Sequence, residues 1–131
     1  MLTTYININN EMNEDEMINA LREASAINAE KVFSDKYMIF NYTEKELNLL
    51  YKLASELDEK IINALKDHNE DIKEYIDHCN HFVDLYQNGK MNEAIEYSEN
   101  VIDKRYPYIQ QISIDHSLKV MEELSKVMSV A

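Results

Sequence analysis

The chain has 131 residues, and its 25 acidic and 13 basic side chains give a net charge of −12 at neutral pH. This charge repels nucleic acids and anionic membranes, so it argues against direct binding to DNA, to RNA or to a lipid surface. The 45% of apolar residues suffice for one folded domain, and a single glycine and a single proline predict long helices joined by short connections.

We expect a cytoplasmic protein. The first residues lack the basic and apolar regions of a signal peptide, and no apolar run is long enough to span a bilayer. Cys79 is the only cysteine in the sequence, so it has no partner for an intrachain disulfide. This agrees with a reducing compartment.

The N-terminal residues 1–12 precede the predicted helices. Residues 3–10 alternate β-branched or aromatic side chains with polar ones, which predicts either a short strand or an extended arm. Asn13 is expected to cap a first helix that carries acidic residues in its first turn and runs to about Phe33. The apolar face of this helix comprises Met17, Leu21, Ala24, Ile27 and Val32.

A connection with buried aromatic side chains is predicted over residues 34–42. Thr43 and Glu46 then form the sequence pattern of a capping box, in which each side chain bonds to the backbone N–H of the other residue. The second helix has its apolar side chains at helical spacing: Leu47, Leu50, Tyr51, Ala54, Leu57, Ile61 and Leu65. Residues 66–71 predict only a weak break or a kink before the third helix.

The third helix is the most regular, because a single stripe holds its large apolar side chains: Ile72, Tyr75, Ile76, Cys79, Phe82, Val83 and Tyr86. Gly89 is expected to end it in the left-handed conformation. A fourth helix, capped by Asn92, is predicted to bury Met91, Ala94, Ile95, Ser98, Val101 and Ile102. Pro107 suits the first turn of a fifth helix. The sequence thus predicts one all-α domain, residues 1–131, of about five helices in a hairpin stack or bundle.

Residues 86–102, with the sequence YQNGKMNEAIEYSENVI, resemble the second half of a tetratricopeptide repeat, since Tyr86, Gly89 and Ala94 follow the spacing of that family. The sequence departs from the family pattern at three positions where small residues are usual: Lys60, Phe82 and Met128. The resemblance covers one helical hairpin and implies a protein-binding scaffold.

Two rows of carboxylates are predicted on the polar faces of the third and fourth helices. The first acidic row consists of Asp67, Glu70, Glu74, Asp77 and Asp84, and the second acidic row consists of Glu93, Glu96, Glu99 and Asp103. Such rows attract the lysines and arginines with which proteins hold phosphates, so they indicate mimicry of a nucleic acid. The alternative is an ordinary solvated face of an amphipathic helix.

His78, Cys79 and His81 are residue types that bind zinc. At about 100° per residue, however, Cys79 belongs to the buried stripe and His81 points nearly the opposite way. The spacing therefore gives at most two ligands on one face, and we expect no metal and no cofactor. A metal-dependent enzyme that uses His78 and His81 is the third alternative for the function.

The fifth helix has two apolar faces. One consists of Ile109, Ile112, Val120 and Val127, with His116 among them, and the other consists of Ile114, Leu118, Met121 and Met128. One face is expected to pack on the fourth helix, while the other either completes the core or stays available to a partner. His116 is expected to be a hydrogen-bonded core or interface residue rather than a catalyst.

These observations predict a non-enzymatic protein-binding module. The main hypothesis is an inhibitor or adaptor that engages a basic, nucleic-acid-handling protein; by analogy, small acidic inhibitors of this kind are typical of phages and mobile elements. The residues expected to contact the partner are Glu70, Glu74, Asp77, Asp84, Glu93, Glu96 and Asp103, with Tyr97 and Tyr108 as apolar anchors. The alternative is a tetratricopeptide-like scaffold, or a homodimer, that binds through the second apolar face of the fifth helix.

Overall fold

The structure is a computed structural model that describes residues 2–34 and 42–128. These ranges contain five helices and no strand, which confirms the all-α class. The helices are α1 (Glu14–Ser34), α2 (Glu44–Asp67), α3 (Ile72–Gln87), α4 (residues 91–105) and α5 (Pro107–Met128). The predicted connection over residues 34–42 lies almost entirely outside the described residues. Within those residues, no helix is both long and apolar enough to cross a bilayer.

Local sequence signals fix most of the helix ends. The Asn13 side chain accepts a hydrogen bond from the Glu16 N–H at 2.8 Å, and Thr43 forms the predicted capping box with Glu46. Gly89 lies just beyond α3 with φ +74°. Glycine adopts this left-handed conformation at little cost because it has no Cβ atom. The prediction for Asn92 is wrong, because α4 begins one residue earlier, at Met91, and has no side-chain cap.

The helix α4 changes its winding near the middle. It is an α-helix over Met91–Tyr97, a π-helix over Ser98–Ile102, and an α-helix again over Asp103–Arg105. A π segment widens the helix by one residue per turn, and such segments occur frequently at functional sites. Nothing in the sequence pattern predicted it.

The helices do not pack in chain order. α1 lies between α2 and α3, α4 packs on α3, and α5 packs along α2. The expectation that one face of the fifth helix packs on the fourth is therefore wrong for most of its length. Tyr106 separates the two helices with φ −126° and ψ 61°, so the chain turns there and α5 runs away from α4.

The N-terminal segment is an extended arm rather than part of a sheet, within the residues described. Ile6 is completely buried in the core formed by the helices. Asn80, on α3, holds the arm by hydrogen bonds to the Ile6 backbone, and Asn28, on α1, accepts hydrogen bonds from Thr3 and Thr4. Two polar side chains from neighbouring helices thus replace a partner strand.

The apolar faces predicted for α1 and α4 need correction. Ile27 and Val32 are 41% and 44% exposed, whereas Ile18, which was not predicted, is buried. Ile18 and Ile27 are nine residues apart and so point to opposite sides of the helix at about 100° per residue. Met91 and Ile95 are also exposed, because α4 packs against α3 on one side only.

Candidate functional site: the polar face of the hairpin of α3 and α4

The first acidic row does not lie on a single helix. α2 ends at Asp67, and α3 begins only at Ile72. Between them, Asn69 adopts a left-handed conformation with φ 54°, and the Glu70 N–H bonds back to the Leu65 carbonyl at 2.9 Å. The predicted weak break is therefore a true helix end, and only Glu74, Asp77 and Asp84 of this row belong to α3.

Arg105, at the end of α4, binds two carboxylates of the first acidic row. Its guanidinium lies 2.9 Å from Glu70 and 3.5 Å from Glu74, and the Glu70 side chain is only 11% exposed. Asp77 pairs with Lys73 at 2.8 Å. These carboxylates are partly neutralised within the molecule, and the contacts of Arg105 join the start of α3 to the end of α4.

The remaining carboxylates of the two rows divide into an outward and an inward group. The outward group is exposed and forms no ion pair within the described residues; it consists of Asp67, Asp84, Glu93, Glu96 and Glu99. Asp103 is half-buried and lines a cavity between the helices. Its burial and the charge of Glu99 raise the pKa of its carboxyl group.

The two predicted tyrosine anchors pack against histidines. The Tyr97 hydroxyl lies 2.6 Å from Nδ1 of His78, and its ring contacts the ring of His81 with centroids 4.4 Å apart. Tyr108 stacks on His68 at a centroid distance of 3.7 Å. Both tyrosines are half-buried, so only part of each side chain is accessible to a partner.

An aromatic cluster behind this face escaped the sequence analysis. Tyr106 is buried and meets the ring of Tyr75 edge to face at 5.1 Å, while the Arg105 guanidinium lies 4.8 Å from the centre of the Tyr106 ring. Burial, followed by the charge of Glu70, raises the pKa of Tyr108 to about 12. The YPY sequence at residues 106–108 was the available signal, but it predicted only a helix start at Pro107 and a partner contact at Tyr108, and not the burial of Tyr106.

The residues proposed for a metal site point in different directions. Cys79 is buried, and burial raises the pKa of its thiol to about 12, which disfavours the thiolate that binds metals. His78 bonds to Tyr97, and its Nε2 atom lies 3.7 Å from Glu74. In the described part of the chain, no group of three or more His, Cys, Asp or Glu side chains is placed to hold a metal ion.

Besides Ile27 and Val32 on α1, two groups of exposed apolar side chains lie on α4 and α5. One lies on α4 at Met91 and Ile95, each nearly half exposed. The other is the second apolar face of α5, formed by Ile114, Leu118, Met121 and Met128, with exposed fractions between 50% and 68%.

The opposite face of α5 packs on α2. There, His116 is buried, and its Nε2 atom lies 2.7 Å from the Leu53 carbonyl oxygen. The prediction of a hydrogen-bonded core histidine is confirmed.

Comparison of the chain with models of protein families, with curated proteins and with solved structures found no match.

Proposed function

We propose that this chain is a non-enzymatic, acidic protein-binding module, an inhibitor or adaptor that engages a basic protein whose own ligand is a nucleic acid. The contact surface is what we call the α4 face, which consists of Met91, Glu93, Ile95, Glu96 and Glu99 on α4 together with Asp84 near the end of α3. The observation that carries the proposal is that the four carboxylates of this face are exposed and unpaired within the described residues, beside two exposed apolar side chains.

The charge state of the α4 face supports this choice over the rest of the acidic rows. Glu70, Glu74 and Asp77 already have cationic partners, so an incoming lysine or arginine would have to compete for them. The carboxylates of the α4 face have no cationic partner of this kind among the described residues. Proteins that hold phosphates carry lysines and arginines at suitable spacing, and these pair well with carboxylates.

The apolar residues of the α4 face, Met91 and Ile95, supply the apolar part of the contact surface. Ile95 follows Met91 by four residues, and side chains at this spacing share one side of a helix. Protein interfaces commonly have an apolar centre inside a polar rim, and methionine adapts its shape to different partners. Charge then accelerates and orients the encounter, while the apolar contact slows dissociation.

Affinity capture with charge variants tests the proposal. The full chain is immobilised and exposed to a bacterial lysate treated with nuclease, and bound proteins are identified by mass spectrometry. A bait carrying Glu93→Gln, Glu96→Gln and Glu99→Gln should lose the basic, nucleic-acid-handling proteins that the unchanged chain retains. The same proteins should elute as salt is raised, since added salt shortens the Debye length from about 8 Å at physiological ionic strength to about 3 Å at 1 M and so weakens the attraction between exposed charges.

The matched control carries the same change of net charge at another surface. Glu11, Glu23 and Glu30 are exposed and form no ion pair among the described residues, so Glu11→Gln, Glu23→Gln and Glu30→Gln should leave capture intact. Equal capture by both triple variants, or capture that resists salt, would contradict recognition through the α4 face.

The second apolar face of α5 favours a second candidate function, a tetratricopeptide-like scaffold or a homodimer that binds by apolar contact. Leu118 and Met121 are 62% and 68% exposed, and contiguous exposed apolar surface commonly marks an interaction site. In sedimentation equilibrium, a dimer formed in this way should persist at high salt and dissociate in Leu118→Gln/Met121→Gln. If the protein is a monomer at all concentrations, the homodimer hypothesis is excluded.

A further inference from the structure

Asp58 lines two cavities, of about 460 Å³ and 440 Å³. The second one is lined by side chains from all five helices and is partly open to solvent. We call the second one the central cavity. It owes its space to small side chains at the positions where the helices approach one another: Ser25, Ala29, Ala54, Ser98 and Ser113. Its volume falls in the range of about 300–1,000 Å³ that is typical of small-molecule sites.

The π segment of α4 shapes one wall of the central cavity. Ser98 and Ile102 are its first and last residues, and both line the cavity, as does Asp103 directly after it. The extra residue in a π turn moves the following side chains around the helix axis. This is how Asp103 comes to face inward rather than to extend the outward row of α4.

The wall of the central cavity is mainly apolar, with two carboxylates. The apolar part includes Leu21, Ile61, Tyr75, Ile102, Tyr106 and Ile109, and the carboxylates are Asp58 and Asp103. Among the described residues, no lysine, arginine or histidine lines this cavity. Arg22, in the adjacent groove between α1 and α2, is paired with Glu59 at 2.9 Å.

Asp58 is the carboxylate of this cavity for which the lack of a cationic partner matters most. Its burial raises the pKa of its carboxyl group to about 6, although the Ser25 hydroxyl counteracts part of the rise, and the negative charge of Glu59 adds to it. Asp58 is half-buried. A carboxylate removed in part from water and without a cationic partner costs free energy, and a bound cation reduces that cost. Asp103, the other carboxylate of the cavity, accepts a hydrogen bond from Gln110 at 3.3 Å.

We propose that the central cavity binds a small organic amine, with its apolar body against the helices and its ammonium group paired with Asp58. An anion is disfavoured by two carboxylates with no cation to offset them. A neutral apolar molecule would fill the space and leave Asp58 unpaired. This site is separate from the α4 face, since its residues point into the bundle.

A set of probes with one ring system and different charges tests this proposal. Tryptamine, tryptophol and indoleacetate are titrated into the isotopically labelled full chain, and binding is followed by NMR chemical shifts. The amine should shift resonances of cavity residues such as Ala29 and Ile109, and should bind at least about tenfold more tightly than the alcohol, because bonds to charged groups are worth more than neutral ones. Indoleacetate should bind most weakly.

Variants of single carboxylates locate the charge that is recognised. Asp58→Asn keeps the shape of the side chain and should reduce tryptamine binding to the level of tryptophol, while tryptophol binding stays the same. Glu23→Gln, at an exposed position outside the cavity, should bind tryptamine like the unchanged chain. The proposal is overturned if none of the probes shifts cavity resonances, if the amine and the alcohol bind equally, or if Asp58→Asn retains tight binding of the amine.

Discussion

Asn80 makes a reciprocal pair of hydrogen bonds with the backbone of Ile6, 74 residues earlier in the chain. The Ile6 N–H donates to the Asn80 side-chain oxygen at 2.8 Å, and the Asn80 amide nitrogen donates to the Ile6 carbonyl at 3.0 Å. Both residues are buried. A single side chain on α3 therefore satisfies the backbone of an arm that has no partner strand among the described residues.

Asn80→Ala should destabilise the fold by about 2–4 kcal/mol, because it leaves a buried donor and a buried acceptor of Ile6 unsatisfied. Urea denaturation measures this loss, and hydrogen exchange at the Ile6 amide should accelerate. Asn63→Ala, at an exposed position within α2, is the control and should change the free energy of unfolding little. Equal stabilities of the two variants would show that the hydrogen bonds between Asn80 and Ile6 contribute nothing to the free energy of unfolding.

Gly89→Ala should cost about 1 kcal/mol. An added Cβ atom would meet no other atom within 4 Å, so the cost comes from φ +74° alone. Gly89→Asn should cost less, since asparagine tolerates the left-handed region better than alanine does. Denaturant titrations of the two variants provide the comparison, and a larger loss for asparagine would contradict this explanation.

Arg105→Gln should lower the free energy of unfolding, because it removes the cation that pairs with the nearly buried Glu70. The double variant Glu70→Gln/Arg105→Gln should be more stable than Arg105→Gln alone, since an uncompensated buried charge costs more than a neutral pair. Thermal denaturation gives the order of stability. Lys73→Gln is the control, because its partner Asp77 is exposed and surface pairs contribute little. The opposite order of the single and double variants would disprove the role assigned to Arg105.

Asp58→Asn should stabilise the protein at pH 7. The pKa of Asp58 is raised from 3.8 to about 6 in the folded state, so the folded chain binds more protons than the unfolded chain between these values, and its stability falls as pH rises through that window. After allowance for the partial exposure of the group, the gain at pH 7 is about 1–2 kcal/mol. Urea titrations at several pH values should show this gain shrinking towards pH 4. A variant that is less stable at pH 7 would contradict the prediction.

The titration of His116 should affect stability in the opposite direction to that of Asp58, so that stability falls as pH is lowered. Burial, followed by the positive charges of Lys60 and Lys119, lowers its pKa below 6.5, although the bond to the Leu53 carbonyl opposes this. As pH falls, the unfolded chain therefore protonates this histidine before the folded chain does. The stability that neutral His116 contributes to the fold is lost as pH falls from about 6.5 through the lowered pKa.

An NMR titration of the His116 ring should show its midpoint below 6.5. In Lys60→Met, the midpoint should rise, because one of the repelling charges is gone. Lys60 lies 3.3 Å from Nδ1 of His116, whereas Lys45 on the first turn of α2 makes no such contact within the described residues, so Lys45→Met is the matched control. A midpoint that does not respond to Lys60→Met would exclude this electrostatic coupling.

The sequence by itself determined where helices form and how most of them begin or end. Capping by Asn13 and Thr43, the turn at Gly89 and the start at Pro107 depend on side chains within a few residues of the backbone groups that they satisfy, and such local chemistry is visible in the sequence. The buried stripe of α3 was also predictable from Ile72 to Val83, because that helix has one dominant apolar side. The prediction is wrong for Tyr86, at the end of the helix, which is 40% exposed.

Only the tertiary structure decided which of several apolar or acidic faces is covered. Ile18 rather than Ile27 is buried because α1 lies between α2 and α3, and Glu70 meets Arg105 across 35 residues of sequence. The order in which helices pack depends on contacts between distant segments, which helical periodicity does not encode. The same packing, together with the π segment, turns Asp103 inward and leaves Asp58 on the wall of the central cavity.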